Sequence, residues 1–213
     1  INLDGGGSTT FAAKEEGADS VTIVNRPSDG YERSVSSSLL VVSTAKTSNE
    51  FDHALLSTDM DYLTIGSSLQ VTVSGVSESG NAAEVPEGAF LRVSDESVAT
   101  LSEGVITAVA KGDVTVELVV GETVVGSKTL HVVVPDGLGF VKTSMNAIYG
   151  VEAVLPLIAT YNGNEVSINP NDISFELSSA NAGAFNGFAF IGDEESGVRT
   201  VTITASLAKD LSI

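Results

Sequence analysis

The chain has 213 residues, 28 acidic and 10 basic, for a formal net charge of −18, with no Cys, no Trp and two His. Without Cys there is no disulfide framework, thiol nucleophile or thiolate metal site, and two His cannot form an all-His zinc centre. The acidic surplus argues against a nucleic-acid partner and against docking on an anionic membrane, while 42% apolar content is too high for a disordered acidic tail.

Val occurs 28 times, and β-branched side chains suit a pleated surface. No apolar run approaches the roughly 18 residues that span a bilayer, so the expectation is an all-β chain without membrane insertion. It opens on Ile1 and runs directly into a glycine turn, which reads as a piece of something longer. Residues 21–24 and 39–42 are strand-like, and residues 46–59 read as a linker. From Leu63 a regular alternation begins, with Leu69, Val71 and Val73 on one face. Strands are predicted at 69–73, from Phe90 to Val93, and at 98–101, 105–109, 114–119 and 129–134. Between them lie the polar turn 77–81, the Ser94-Asp95-Glu96-Ser97 corner, and glycine turns at 103–104, 111–112 and 121–126. Pro135-Asp136-Gly137 breaks the pattern and is the predicted domain boundary. Beyond it, strands are expected at 153–160 (interrupted by Pro156), 166–168, 173–177, 185–190 and 201–205, with a hairpin at Asn162-Gly163. The expected organisation is thus a β-rich segment at 1–45, a linker at 46–59, and sandwiches at 60–135 and 138–213.

Three parts of the chain carry resemblances. Residues 94–112, SDESVATLSEGVITAVAKG, resemble the bacterial Ig-like domain of group 2. Val98, Leu101, Val105, Ile106 and Val109 would fill the core, and the Trp usual before the corner is replaced, nearest by Leu91. Residues 138–213 resemble a more divergent Ig-like module. Residues 2–10, NLDGGGSTT, and 25–42, NRPSDGYERSVSSSLLVV, together resemble the C-terminal end of a phosphodiester glycosidase domain. That group includes the uncovering enzyme that removes N-acetylglucosamine from phosphodiester-linked mannose.

In a complete enzyme of that kind, the resemblance implies a catalytic role for Asp4 beside a glycine nest. Gly6, Gly7 and Ser8 would hold the substrate's anion and Arg26 (or Arg33) would clamp its phosphate. The alternative reading of the same residues is two tight turns with solvated arginines. Glycoside hydrolysis needs two positioned carboxylates and a formed pocket. Forty-five residues cannot build one, so catalysis is not expected of this chain alone, and no cofactor is expected. Partners implied are a missing N-terminal glycosidase region, glycans or cell-wall components, and a second copy paired through the orphaned N-terminal strands. The setting implied is the exterior or surface of a bacterium. Three readings stay open: an Ig-like spacer of a secreted glycosidase, part of an enzyme active once complemented, and an adhesin module.

Smaller candidates remain. Asp59 and Asp61, with Asp136, offer the oxygen ligands calcium prefers, or are merely solvated acidic turns. Asp193-Glu194-Glu195 reads as a hairpin tip. His131 is expected to point outward, and His53 to lie in the linker without a partner. Tyr149 and Tyr161 could stack on a sugar ring, but four Tyr spread over the chain make no aromatic platform. Of the net charge, residues 46–136 carry −10, against −3 for 1–45 and −5 for 137–213. The acidity therefore belongs to the sandwiches and fits the solubility of an extracellular spacer.

Overall fold

The computed structural model of the chain describes residues 9–34, 38–42, 44 and 46–208. These residues are all-β, with one 3-10 turn among them at Pro170–Asp172. In chain order the strands are β1 (Ala12–Ala13), β2 (Thr22–Ile23), β3 (Phe51–Ser57), β4 (Tyr62–Leu63), β5 (Ser68–Gln70), β6 (Thr72–Ser77) and β7 (Ala82–Ala83). There follow β8 (Phe90–Val93), β9 (Ala99–Ser102), β10 (Val105–Ala108), β11 (Gly112–Val120), β12 (Thr123–Val132) and β13 (Gly137–Phe140). The last are β14 (Glu152–Val154), β15 (Leu157–Tyr161), β16 (Asn164–Ser167), β17 (Ile173–Leu177), β18 (Gly183–Asn186), β19 (Ala189–Gly192) and β20 (Ile203–Leu207).

The chain forms two compact units. The first combines the described residues of Ile1–Leu56 with Val73–Phe90 and Leu118–Ser127. It holds the two-stranded sheet β1-β2 and the three-stranded sheet β3-β6-β7, and buries Ala54, Leu56, Val76 and Val119. β3 occupies Phe51–Ser57 of the stretch read as a linker. Its pattern buries Ala54 and Leu56 while Leu55 and Ser57 face outward, a period of two that the flanking Asp52 and His53 disguise.

The second unit, Ser57–Thr72 with Leu91–Glu117 and Lys128–Ile213, is layered. A sheet β5-β10-β9 contributes Leu69, Ile106, Ala108 and Ala99 to a core, and β4, β11 and β12 contribute Leu63, Val114, Val116, Leu130 and Val132. β10 and the first part of β11 bury alternate residues, as a sandwich requires. A second layered set follows, with sheets β14-β19-β18 and β17-β20 and with Leu155, Ala159, Val166, Ile173 and Phe190 buried. Phe175 stacks on Phe185 at 4.6 Å between ring centres, and Phe185 lies 5.6 Å from Phe190.

Several strands differ from the sequence reading. β12 starts at Thr123, so residues 123–126 belong to a strand and not to a turn. Residues 185–190 are two strands, not one, because Gly187 adopts a φ of +56° and reverses the chain into β19. Pro156 separates β14 from β15, and the two halves join different sheets, since proline cannot donate to a ladder. The Asn162-Gly163 hairpin forms as expected, with φ of +50° and +82° joining β15 to β16.

The Ser94–Ser97 corner is stitched to β11 by Ser94 N–H to Thr115 C=O (2.8 Å) and Thr115 N–H to Ser94 Oγ (2.9 Å). Within the corner Asp95 Oδ1 accepts from the Ser97 hydroxyl (2.6 Å) and from its N–H (2.9 Å). These bonds, the hydroxyl's first, hold the Asp95 carboxyl below its ordinary range. The resulting stabilisation is present above the ordinary carboxylate pKa and is lost as pH falls through the lowered value. Ser97→Ala removes the larger of the two causes, so the Asp95 pKa is expected to rise. NMR titration of its side-chain carbon checks this; an unchanged midpoint would refute the assignment.

Candidate functional site

The N-terminal segment bears the motifs that carry the glycosidase resemblance, and its described part includes a short hairpin. β1 and β2 pair Ala12 with Ile23 and Ala13 with Thr22, and Val24 N–H donates to Phe11 C=O (2.9 Å). Beyond the ladder, the Asn25 side chain stands in for a missing strand partner. Its Oδ1 accepts from Phe11 N–H (2.6 Å), and its Nδ2 donates to Thr9 C=O (2.8 Å). The Pro27–Gly30 turn closes through Gly30 N–H to Pro27 C=O (2.9 Å), with Gly30 at a φ of +82° that a side chain would resist. The NRPSDG motif is therefore a clamp followed by a turn. Asn25→Ala is expected to cost about 1–2 kcal/mol of local stability, because two hydrogen bonds go at once. Amide exchange at Phe11 and Val24 should quicken; unchanged protection at both would exclude the clamp.

Within the first unit the loop between β1 and β2 docks on the β6–β7 turn. Gly17 N–H donates to Gly80 C=O (3.1 Å), and Lys14 Nζ to Asn81 Oδ1 (2.6 Å). Glu16 lies 3.4 Å from His53 Nε2, and Asp52 lies 2.8 Å from His53 Nδ1. His53 thus stands in a strand with two carboxylates beside it, which corrects its reading as a partnerless linker residue. These contacts are polar, and the apolar side chains of the segment stay exposed. Phe11, Val21, Ile23 and Val24 are about half exposed or more, Leu39 and Leu40 are 75% exposed, and Val41 is 96% exposed. These eight exposed apolar residues, Val42 at 72% included, fall within one stretch of the sequence, 11–42.

Asp4, Gly6, Gly7 and Ser8 lie outside the described residues. Arg26 is exposed and has no ion pair among them. Arg33 is held by Asp29 at 2.5 Å, four residues earlier, which occupies the guanidinium assigned as an alternative phosphate clamp. The three carboxylates of the calcium reading are not gathered. Asp61 pairs with Lys128 (2.5 Å), Asp136 Oδ2 accepts from Asn162 N–H (2.8 Å), and among the described residues no group of three acids or histidines surrounds a common point.

The Asp193 carboxylate caps its own turn through Glu195 N–H (2.9 Å). Tyr149 donates to Val198 C=O (2.6 Å), and Tyr161 is tilted against Tyr62 at 6.1 Å. His131, half-exposed, holds Asp113 at 2.8 Å and stacks on Tyr62 at 4.8 Å. The Tyr62 and His131 rings thus cover one face of each other. The Tyr62–His131 pair escaped the sequence reading because 69 positions separate the two residues; cross-strand register alone unites them. No helix of the described residues is long and apolar enough to cross a membrane, a statement that does not extend to crossing by strands. No family model matches the chain, and no curated protein does either.

Proposed function

We propose that this chain is a C-terminal region of a secreted or surface-attached bacterial phosphodiester glycosidase. In this reading its Ig-like sandwiches act as a spacer, and its N-terminal segment completes a catalytic domain built by another region of the protein. One observation supports the reading above others. The segment bearing the glycosidase-like motifs docks through polar contacts at residues 14–17, while its apolar residues, Leu39 to Val42 included, remain uncovered. Leu39 to Val42, expected as a strand, form none here; an added catalytic region would supply the apolar cover and the strand partners they lack. Asp4 would then serve as catalytic carboxylate, with Gly6, Gly7, Ser8 and Arg26 on the phosphate.

Co-expression with a glycosidase region and assay on a sugar-1-phosphodiester test the proposal. Activity is expected only in the combined protein, and Asp4→Asn should abolish most of it. Full activity of the Asp4→Asn protein would remove Asp4 from catalysis; no binding of the two regions would end the reading. Alone, the same uncovered apolar residues should draw two copies together. Light scattering should report a dimer that becomes a monomer when residues 1–45 are deleted, and a monomer in both cases would exclude self-pairing.

A further inference from the structure

We propose that the two sandwiches of the second unit are locked into one rigid body, and that Thr64 and Asp172 are the lock. The inference does not depend on the glycosidase reading. The sequence places a boundary at Pro135-Asp136-Gly137, yet none of these residues behaves as free linker. Pro135 is buried, and Asp136 N–H donates to Thr160 C=O (2.9 Å). Gly137 pairs with Thr160 so closely that a Cβ there would strike the Thr160 hydroxyl.

The joint is made by β4, a strand of two residues that pairs on both sides. Tyr62 and Leu63 lie parallel to His131 and Val132 of the first sandwich and to Val166 and Ser167 of the second. His131 N–H to Asp61 C=O, Val133 N–H to Leu63 C=O and Thr64 N–H to Ser167 C=O, each 2.9 Å, complete the ladder. One sheet, in the order β13-β15-β16-β4-β12-β11-β8, therefore runs through both sandwiches. Beside it Val133, Ala159 and Val166 form a small buried cluster, against which Tyr62, Leu138 and Tyr161 pack.

The polar lock closes the end of β4. Asp172 is 6% exposed, and no cation pairs with it among the described residues. Its Oδ2 accepts from the Thr64 hydroxyl and from Asn169 N–H (3.0 Å). With its proton committed to Asp172, Thr64 Oγ1 is left to accept from the Ser67 hydroxyl (2.9 Å) and from Asn169 N–H (3.1 Å). Asn169 Nδ2 reaches back to Gly66 C=O (2.8 Å). A buried carboxylate without a counter-ion is costly unless its hydrogen bonds are met. Here a residue from each sandwich is needed to meet them, so any pivoting at the joint strands the charge. The carboxylate thereby selects one angle between the sandwiches, which an apolar contact would not do.

The chain has no Cys, which permits clean spin labelling of Ser102→Cys on β9 together with Glu194→Cys beyond β19. Double electron–electron resonance on the full chain is expected to give one narrow distance distribution. Asp172→Ala or Thr64→Val should broaden it about twofold and speed amide exchange at Thr64 and Val133 about tenfold. Thr64→Val preserves side-chain shape and decides the matter if Asp172→Ala does not fold. A broad distribution in the labelled protein with its lock intact would overturn the rigid body. A narrow distribution unchanged by the variants would overturn Thr64 and Asp172 as its lock.

Discussion

Leu63→Ala should destabilise the protein by about 2–5 kcal/mol, the range for emptying a fully buried leucine site. Leu63 has no exposed surface and stands opposite both Val132 and Ser167. The loss should therefore register on both sides of β4. In calorimetry the expected fall in melting temperature is roughly 5–15 °C. Hydrogen exchange should quicken at Ile106 and Val132 and also at Ala159 and Val166. Faster exchange confined to residues 60–133 would mean that the second sandwich does not depend on β4.

Gly126→Ala should carry the next largest cost, about 1–3 kcal/mol, for overfilling a close-packed place. A Cβ at Gly126 would fall on the Ala54 carbonyl and lie 2.8 Å from Leu56 Cδ1. A leucine tip can swing away, but a strand carbonyl cannot. Gly75 is the parallel case, with the Ala83 carbonyl and the Phe51 ring in the way. Neither glycine has a positive φ, so both are small because of a neighbour's backbone and not because of their own. Chemical denaturation of the two alanine variants checks the expectation. Wild-type midpoints for both would show that the β3 and β7 backbones yield freely.

The all-β class was legible because β-branched residues alternate and turns have a specific chemistry. Asn162-Gly163 could be placed from sequence since its turn demands two positive φ values. The corner at 94–97 was visible for a similar reason, as Asp95 and Ser97 bond within three residues of one another. β3 was not, because Asp52 and His53 interrupt its apolar pattern. β4 escaped because two residues cannot display a period, and their pairing is dictated by strands far along the chain. Thr64 and Asp172 form no local motif at all; only the register of β4 with β16 brings them together. Of the candidate site, the Asn25 turn was readable, its clamp on Thr9 and Phe11 was not, and the glycine motif lies outside the described residues.

The pairing of β4 has a consequence for how the chain reaches its fold. Thr64 must wait for a partner 108 positions later, and closing so long a loop is costly before any contact rewards it. During synthesis β4 emerges well ahead of β12 and far ahead of β16. Its paired edges therefore stay vacant through the making of most of the chain. Folding is expected to be slow and to finish at β4, with the greatest risk of cross-pairing between nascent chains falling in that interval.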